Sequence, residues 1–356
     1  MNILEIDGSI GEGGGQILRY ALALSSMILR PVRIFNIRAK RDNPGLRPQH
    51  LTAVNVLKEL TDAEVEGARV GSTELVFKPC KYKCGDFEVD IGTAGSVSLV
   101  IQAILPVLLF GKCRSRIILK GGTNVQWSPP IDYMIHVFSY NIKHFGIDAD
   151  IKLIRRGHYP RGGGIVELAV SPVKEPLRSI NIIKRGKLQG IHIISHCVKL
   201  PRHVAERQAG AALNILKNMP IKPSVIIEAY PADKDPHLGP GSGILIYAEA
   251  EPDIRLGGDS IGEKGKPAEK VGEEAAISLI EDLETGMAFD RHMGDMLIPY
   301  MFLAKGRSVI GVSRVTSHLL TAIEISKMFM PNSEVKVEGE LNKPGLVKIT
   351  GIGFYA

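Results

Sequence analysis

The chain has 356 residues, of which 44% are hydrophobic and 23% are charged, and its formal net charge is +6. This composition is typical of a folded globular protein and excludes a disordered or fibrous chain. The modest positive charge permits an anionic partner such as a nucleotide or a nucleic acid without requiring one. Residues 1–7 lack the pattern of a signal peptide and apolar runs such as 101–110 are too short to span a bilayer, which predicts a cytoplasmic protein.

The four cysteines, Cys80, Cys84, Cys113 and Cys197, are too few for a disulfide framework and lack paired metal-ligand spacing. They are therefore predicted to be free thiols. The alternative is a single disulfide between Cys80 and Cys84. These two cysteines lie in a predicted hairpin, and a hyperthermophilic host would permit a bond between them.

The first structural unit is predicted from apolar periodicity and turn residues, taken in chain order. A short strand is followed by a glycine-rich turn over 11–15, which opens an apolar helix. The unit then continues with further strands and a second helix: a helix over 16–29, a strand over 32–39, a helix over 48–60 and strands over 73–78 and 87–91.

The same order of elements recurs twice along the chain. From residue 92 it gives a helix over 96–110, a strand over 116–120, a helix after Pro130, and strands near 149–154 and 165–170. From residue 286 it gives helices over 291–304 and 317–328, and strands over 308–312, 335–338 and 346–349. The third copy begins much further from the second than the second does from the first, so about 110 residues are inserted between them.

This pattern predicts an α+β protein of two-layer α/β sandwich units, with three tandem βαβαββ-like repeats and one smaller inserted α+β domain. The predicted catalytic domain consists of residues 1–182 and 285–356, and residues 183–284 form the inserted domain. Within the insert, strands are predicted at 190–196, 224–228 and 243–249, and helices at 202–218 and 268–283.

The glycine-rich turn over 11–15 is a candidate phosphate-binding site, because bare backbone amides at a helix start can hold an anion. A sharp structural turn has the same composition and is the alternative. Arg19, Arg38 and Arg41 follow the turn, and guanidinium groups pair well with phosphate oxygens. The alternative for these arginines is a solvated basic face.

Acidic and amide side chains accompany these arginines. Glu12 lies within the turn, and a carboxylate among arginines favours a divalent metal that bridges phosphates. His50 opens the second helix beside Gln49 and is predicted to assist Glu12. A second glycine turn over 92–96 precedes a helix that carries Gln102, whose amide suits a nucleotide; a small-residue turn that only packs closely is equally compatible.

His318 is predicted to lie just inside the N-terminus of the last helix, with Thr316 or Ser317 as its N-cap. The positive end of a helix dipole favours a neutral imidazole and attracts phosphate. A nitrogen that attacks phosphorus needs both conditions, so His318 is a candidate nucleophile, with a structural histidine as the alternative.

The segment 156–166, with the sequence RGHYPRGGGIV, resembles the signature of the RNA 3′-terminal phosphate cyclase family. The resemblance extends over nearly the whole chain, including 11–19, 48–51, 201–207 and 317–321. It implies an ATP-dependent enzyme that adenylates its own histidine, transfers AMP to an RNA 3′-phosphate and closes a 2′,3′-cyclic phosphodiester. It also implies three tandem repeats with one inserted related domain, in agreement with the repeat found above.

The resemblance implies a role for each candidate residue, with His318 as the nucleophile. ATP would contact Gln102, His292, Met293, Gly294, Asp295 and Met296; phosphates of ATP or the RNA end would contact Arg19, Arg38, Arg41 and Gln49; and Glu12 and His50 would lie at a divalent metal, Mg or Mn. The implied partners are ATP and RNA 3′-phosphate ends, and no association with a membrane is expected. Assembly into a homo-oligomer is left undecided. The site is expected between the first and third repeats, with His318 facing Glu12 and Arg41.

Two positions depart from the family pattern. Met296 stands where the family often has a glutamine, and residues 257–259 replace an aromatic residue that some members place on adenine. Pro129 then becomes a candidate for stacking on the base.

Three rival functions come from other classes. A non-catalytic relative that binds RNA in ribosome assembly shares the fold, but His318, Glu12 and Arg41 argue against it. An enolpyruvyl transferase has similar repeated units but lacks the signature segment. A simple RNA-binding module would need a strip of aromatic residues, and with one tryptophan in the chain no such strip is predicted.

Overall fold

The structure is a computed structural model that describes residues 3–11 and 14–356. Within these residues the strands form four sheets of four strands each, and α-helices pack against them. The predicted α+β class is therefore confirmed.

The strands fall into sheets in chain order, with one exception. β1 (Leu4–Asp7), β2 (Val32–Phe35), β3 (Glu64–Glu66) and β4 (Leu75–Lys78) form a sheet of order β1-β2-β4-β3; β5 (Asp86–Asp90), β6 (Ser115–Gly121), β7 (Ala149–Arg155) and β8 (Gly164–Val170) form one of order β5-β6-β8-β7. The short strand β9 (Asn181–Ile182) comes next in the chain. A third sheet, of order β11-β10-β12-β13, consists of β10 (Leu188–Val198), β11 (Ser224–Ala229), β12 (Gly241–Ala250) and β13 (Ile254–Ile261). β14 (Lys305–Val312), β15 (Val335–Glu338) and β16 (Gly345–Ile352) join β9 in a sheet of order β9-β14-β16-β15.

The sheets that contain β1, β5 and β9 share one strand order. In each of them the first strand pairs parallel with the second, and the other neighbours are antiparallel. A parallel pair needs a crossover connection, which places a helix on the sheet. The sheet of β10 to β13 lies between β9 and β14 along the chain, and the predicted domain division at residues 183–284 stays a prediction.

The helices are α1 (Gly15–Ile28), α2 (Pro48–Thr61), α3 (Val97–Leu108), α4 (Ile131–Tyr133), α5 (Ser139–Asn141), α6 (His203–Ile215), α7 (Ala268–Glu284), α8 (Met293–Leu303) and α9 (Ser317–Phe329). α1, α3 and α8 each contact strands of a different sheet, and α1 also contacts α2, α3 and α9. The main core therefore lies where helices from three sheets meet. No helix among the described residues is long and apolar enough to cross a membrane.

Two parts of the predicted element order differ from the structure. The strand predicted at 87–91 to close the first unit is β5 (Asp86–Asp90), which begins the second sheet because it pairs with β6. β3, β9 and β13 are strands that the sequence analysis does not predict. β13 contains Gly257 and Gly258, and glycine weakens a strand pattern; here a side chain at Gly257 would lie 2.8 Å from the Tyr133 ring, and one at Gly258 would lie 2.4 Å from a carbonyl of α7.

The signature segment begins with a buried ion-pair network. The Arg156 guanidinium donates to both carboxylate oxygens of Asp132, at 2.6 and 2.8 Å, and to both of Glu228, at 3.0 and 2.7 Å. Asp132 lies in α4 and Glu228 lies in β11, so Arg156 joins the second sheet's unit to the sheet of β10 to β13. Removal of one partner from such a buried network would leave an uncompensated charge.

The structure corrects the prediction for the cysteines. Cys84 forms a disulfide with Cys113, while Cys80 is exposed and Cys197 is buried as free thiols. A side chain at Gly111 would lie 3.1 Å from Cys84 Cβ, so the turn after α3 packs directly on Cys84. Proximity along the chain favoured Cys80 as the partner, whereas the packing of this turn decides for Cys113.

We expect Cys84→Ser and Cys113→Ser to lower the melting temperature to a similar extent. Closing a loop with a sequence separation of 29 residues stabilises a fold by about 3–4 kcal/mol in the chain-entropy account. Calorimetry without reductant measures the change, and Cys80→Ser is the matched control, which should melt like the wild type. Titration of four thiols in the denatured, unreduced protein would contradict the assignment.

Candidate active site

The N-terminus of α1 collects three of the predicted phosphate-binding and metal-site side chains. A side chain at Gly14 would lie 3.1 Å from Arg41 Nη2, and one at Gly15 would lie 2.4 Å from His50 Nε2 and 3.3 Å from Arg19 Nη1. Glycine is required here because any Cβ would occupy the space of these side chains. The structure thus brings Arg19, Arg41 and His50 together at the positive end of a helix dipole.

His318 is joined to the same helix end by a reciprocal pair of hydrogen bonds. Gln16, the second residue of α1, donates from Nε2 to the His318 carbonyl oxygen at 2.8 Å, and Gln16 Oε1 lies 2.6 Å from His318 Nδ1. His318 is exposed in the first turn of α9, whose N-cap Thr316 accepts a hydrogen bond from the Leu319 amide. The predicted meeting of the first and third repeats at His318 therefore has a physical contact.

The Gln16 contact fixes the tautomer of His318. Only the amide nitrogen of Gln16 can donate to a carbonyl, so its oxygen must be the atom that faces Nδ1. Nδ1 therefore carries a proton, which in the neutral form of the ring leaves the lone pair on Nε2. An unprotonated nitrogen is what a nucleophile requires.

A second contact holds the glycine turn against α9. Gly11 has a φ of +56°, and a side chain there would lie 2.7 Å from Thr321 Oγ1, one turn beyond His318. Lys40 Nζ donates to the Gly11 carbonyl at 3.1 Å. Glu12, the predicted metal ligand and the predicted partner of His318, lies outside the described residues.

His50 is buried and surrounded by positive charge. Burial, followed by Arg19, Arg38 and Arg47, lowers the pKa of His50 to about 3, so the ring is neutral at physiological pH. Its Nδ1 accepts the Arg47 backbone N–H at 3.2 Å, which leaves the proton on Nε2, the atom that faces Gly15.

A protonated Nε2 among guanidinium groups suits a phosphate oxygen and does not suit a metal ion. Among the described residues, no group of three or more His, Cys, Asp or Glu side chains could hold a metal. The assignment of His50 as a metal ligand does not fit this arrangement, and we derive no step through a metal.

The two remaining phosphate candidates lie at the edge of the cluster. Arg38 has a φ of +55° and donates from Nη1 to the carbonyls of Asn43 and Gly45, so its guanidinium also holds its own loop. Gln49 is exposed at the start of α2, and its Cβ would lie 3.2 Å from a side chain at Gly95. Gln49 thus links the cluster to the second glycine turn.

The predicted nucleotide residues at the start of α8 are positioned by Asp290. This buried carboxylate accepts the backbone N–H groups of His292 and Met293 through Oδ1, each at 2.9 Å, and the Tyr133 hydroxyl at 2.8 Å. Its other oxygen accepts the Gly257 N–H at 2.9 Å. The exposed His292 ring lies 6.3 Å from the Tyr133 ring, on the segment that follows Pro129.

A narrow cleft brings three of the predicted residues together. Arg19, Gln102 and Met296 line it, and the aromatic side chains of Tyr20, Phe138 and Tyr300 form part of the wall. Within the described residues, Arg19 Nε is buried without a hydrogen-bond partner, and an anionic ligand would supply one.

The other members of the predicted nucleotide set differ in accessibility. The Met293 side chain is fully buried in the core, and Gly294 packs against Val312 and Leu319. Asp295 lies near His318 and His292, and burial raises the pKa of Asp295 to about 6 against the opposing effect of these histidines. Asp295 can therefore contribute a charge to the site, whereas Met293 contributes packing.

Two residues with evident roles were missed by sequence reasoning. Gln16 directly follows the glycine run and has the sequence position of an ordinary residue in the first turn of a helix. Asp290 lies two residues before His292, a predicted nucleotide-binding residue. The signal for Asp290 is its place three residues before Met293, the first residue of α8, which suits a carboxylate that accepts the first helix amides. Gln16 has no local signal, because its partner lies 302 residues away.

Known proteins resemble this chain over nearly its whole length. A family model described as RNA 3′-terminal phosphate cyclase matches residues 10–336. Proteins named RNA 3′-terminal phosphate cyclase are 68% identical over 356 residues in Desulfurococcus amylolyticus and 60% identical over 354 residues in Staphylothermus marinus, with 99% of each chain covered in both cases. A third, from Ignicoccus hospitalis, is 54% identical over 98% of this chain and 99% of its own.

The matches to the family model and to these relatives define both the class of enzyme and the family. The chain belongs to the RNA 3′-terminal phosphate cyclase family. The predicted family and enzyme class are thereby confirmed. A solved structure of EPSP synthase from Acinetobacter baumannii matches with a TM-score of 0.23 and 9% identity over 99% of this chain and 66% of its own, which carries no inference.

The depressed pKa of His50 predicts a pH-dependent contribution to stability. The unfolded ring takes up a proton below about pH 6.5 and the folded ring only near pH 3, so this stability is present above 6.5 and is lost as the pH falls. Between pH 7 and pH 5 the loss should be roughly 2 kcal/mol. His50→Asn keeps an acceptor for the Arg47 N–H but does not titrate.

Urea denaturation at pH 7 and pH 5 measures this difference. The free energy of unfolding should fall less between these pH values in His50→Asn than in the wild type. The control is His203→Asn, which removes an exposed histidine at the start of α6. Its free energy of unfolding should fall between pH 7 and pH 5 by as much as that of the wild type. An equal decrease in the free energy of unfolding in His50→Asn and in the wild type would contradict the depressed pKa of His50.

Proposed function

We propose that this protein converts an RNA 3′-terminal phosphate into a 2′,3′-cyclic phosphodiester at the expense of ATP, through an adenylated His318. The observation that supports this proposal is the Gln16–His318 contact, which joins the imidazole through Nδ1 to the helix end that Arg19, Arg41 and His50 also approach. Family membership supports the same activity.

In the first step His318 Nε2 attacks the α-phosphorus of ATP. A bond forms between nitrogen and phosphorus, and the bond from the α-phosphorus to the bridging oxygen breaks, so pyrophosphate leaves with the electron pair. Arginine side chains and helix amides stabilise the negative charge that develops on the phosphoryl oxygens. Arg19, Arg41 and the Nε2–H group of His50 are the donors that we assign to this task.

In the second step an oxygen of the RNA 3′-phosphate attacks the phosphorus of the histidine adenylate, and the imidazole is released. In the third step the neighbouring ribose 2′-hydroxyl attacks the 3′-phosphorus, loses its proton to solvent or a base, and displaces AMP. Covalent catalysis of this kind divides one difficult displacement into three activated ones. Arg38 and Gln49, at the edge of the cluster, are proposed to hold the RNA end.

The nucleotide is proposed to contact Gln102, His292, Gly294, Asp295 and Met296, with Pro129 near the base. A divalent metal, Mg or Mn, stays a prediction that depends on Glu12. The alternative function, a non-catalytic RNA-binding relative in ribosome assembly, would give no reason for the fixed tautomer of His318.

The deciding experiment is self-adenylation. The wild type, incubated with α-labelled ATP and Mg²⁺ or Mn²⁺ without RNA, should retain an acid-labile label on a denaturing gel, and His318→Ala should retain none. His203→Ala is the matched control, because His203 is also an exposed histidine in the first turn of a helix. An unlabelled wild type, or a His318→Ala variant labelled equally, would exclude the mechanism.

Gln16 is proposed as a positioning residue for His318. Gln16→Ala should slow self-adenylation by roughly ten- to a hundredfold, a loss seen when a group that orients a functional imidazole is removed. Gln16→Glu keeps an acceptor for Nδ1–H, so it should restore much of the rate. Its carboxylate also favours the imidazolium, so the acidic limb of its pH–rate profile should move to higher pH.

Single-turnover labelling at several pH values measures both effects. Gln189→Ala, at an exposed position of β10, is the control and should label like the wild type. A Gln16→Ala variant with the wild-type rate and pH profile would show that Gln16 does not set the tautomer.

A further inference from the structure

The most exposed large hydrophobic side chain recorded among the described residues belongs to the one tryptophan of the chain. Trp127 is 96% exposed, and Tyr159 in the signature segment is 76% exposed. Tryptophan is highly buried on average, because its large ring gains free energy when it leaves water. Two exposed rings in one region therefore need an explanation other than the stability of the fold.

The backbone at Trp127 has an uncommon conformation. Trp127 lies in a turn with a φ of +62°, a conformation that is unfavourable for residues other than glycine. The turn is stabilised by Ser128 Oγ, which donates to the Val125 carbonyl at 2.8 Å. Backbone strain of this kind clusters at functional sites, which makes this turn a candidate for ligand contact.

The two rings belong to neighbouring loops. The N–H groups of Thr123 and Asn124 both donate to the Gly157 carbonyl, at 2.8 and 3.3 Å, and Asn124 forms a β-bridge with His158. Trp127 follows Asn124 by three residues and Tyr159 follows His158 directly. The exposed Arg161 lies on the same loop as Tyr159, where Nη1 donates to the Leu238 carbonyl at 3.3 Å.

This surface is continuous with the proposed RNA-end site. A side chain at Gly162 would lie 2.9 Å from Ala94 Cα, and one at Gly95, the next residue along, would lie 3.2 Å from Gln49 Cβ. The signature loop, the second glycine turn and Gln49 are therefore in direct succession. Tyr159 and Arg161 lie on this signature loop, and Trp127 lies on the loop that is hydrogen-bonded to it.

We propose that Trp127, Tyr159 and Arg161, here called the aromatic patch, bind unpaired bases of the RNA strand next to its 3′ end. This proposal rests on the proposed function, since it extends the same substrate site. Aromatic rings stack on any base, and a guanidinium stacks on a base or contacts a phosphate, so the patch would bind single strands without sequence preference.

The chemistry of the patch favours RNA over a protein partner. A protein interface of this kind would extend over a contiguous apolar area, whereas here two exposed rings are accompanied by an exposed arginine on loops that lead to Gln49. Bases stack on aromatic rings and phosphates pair with a guanidinium, so a nucleic-acid strand matches this combination.

The test uses the fluorescence of Trp127, the only tryptophan in the protein. The full chain is titrated, without ATP, with an unpaired oligoribonucleotide of about ten nucleotides that ends in a 3′-phosphate, a length within the usual site sizes of single-strand-binding proteins. The fluorescence should be quenched as bases stack on the indole. A blunt duplex of the same sequence should quench far less.

Variants give an independent readout by filter binding of the same oligonucleotide. Trp127→Ala and Tyr159→Ala should each bind it about five- to a hundredfold more weakly, the range expected for loss of one stacked base. Tyr355→Ala is the matched control, because Tyr355 is an exposed aromatic residue outside the aromatic patch, and it should bind like the wild type.

Three outcomes would overturn the proposal. They are wild-type affinity in both patch variants, absence of quenching by the unpaired RNA, and equal quenching by ATP alone, which would place Trp127 on the nucleotide base. Wild-type self-adenylation without RNA tests the proposed function separately, so its failure and the failure of the aromatic patch are distinguishable.

Discussion

The reciprocal hydrogen bonds between Gln16 and His318 are the interaction on which the site depends. They join the first turn of α1 to the first turn of α9, two helix ends that are 302 residues apart in the chain. Because both partners lie at positive helix ends, the same contact that orients the imidazole also places it where an anion is stabilised. Positioning, tautomer and electrostatic environment therefore share one structural cause.

Glycine makes this convergence sterically possible. Gly11 lies against Thr321, and Gly15 lies against His50 and Arg19, at distances that leave no room for a Cβ. The glycine run is thus a means of bringing bulky cationic and aromatic groups close to a bare helix end, as well as a source of backbone amides. The same reasoning explains Gly257 and Gly258, where close packing on Tyr133 and α7 requires glycine inside a strand.

The signature segment combines a buried and an exposed role. Its first residue, Arg156, is buried between Asp132 and Glu228 and holds the sheet of β10 to β13 against the rest of the molecule. A few residues later Tyr159 and Arg161 are exposed on the loop that this arginine anchors. A rigid anchor lowers the entropy lost when a ligand orders on the loop, which fits a surface that receives a flexible strand.

The sequence by itself determined the α+β class, most helices and strands, and the residue types of the site, because apolar periodicity, helix caps and glycine turns are local signals. Tertiary structure decided the rest. The partner of Cys84, the parallel pairing of β5 with β6, and the role of Gln16 each depend on residues distant in the chain. The exposure of Trp127 is likewise decided by tertiary packing. The presence of one tryptophan in the sequence does not show whether its ring is buried in the core or exposed to solvent.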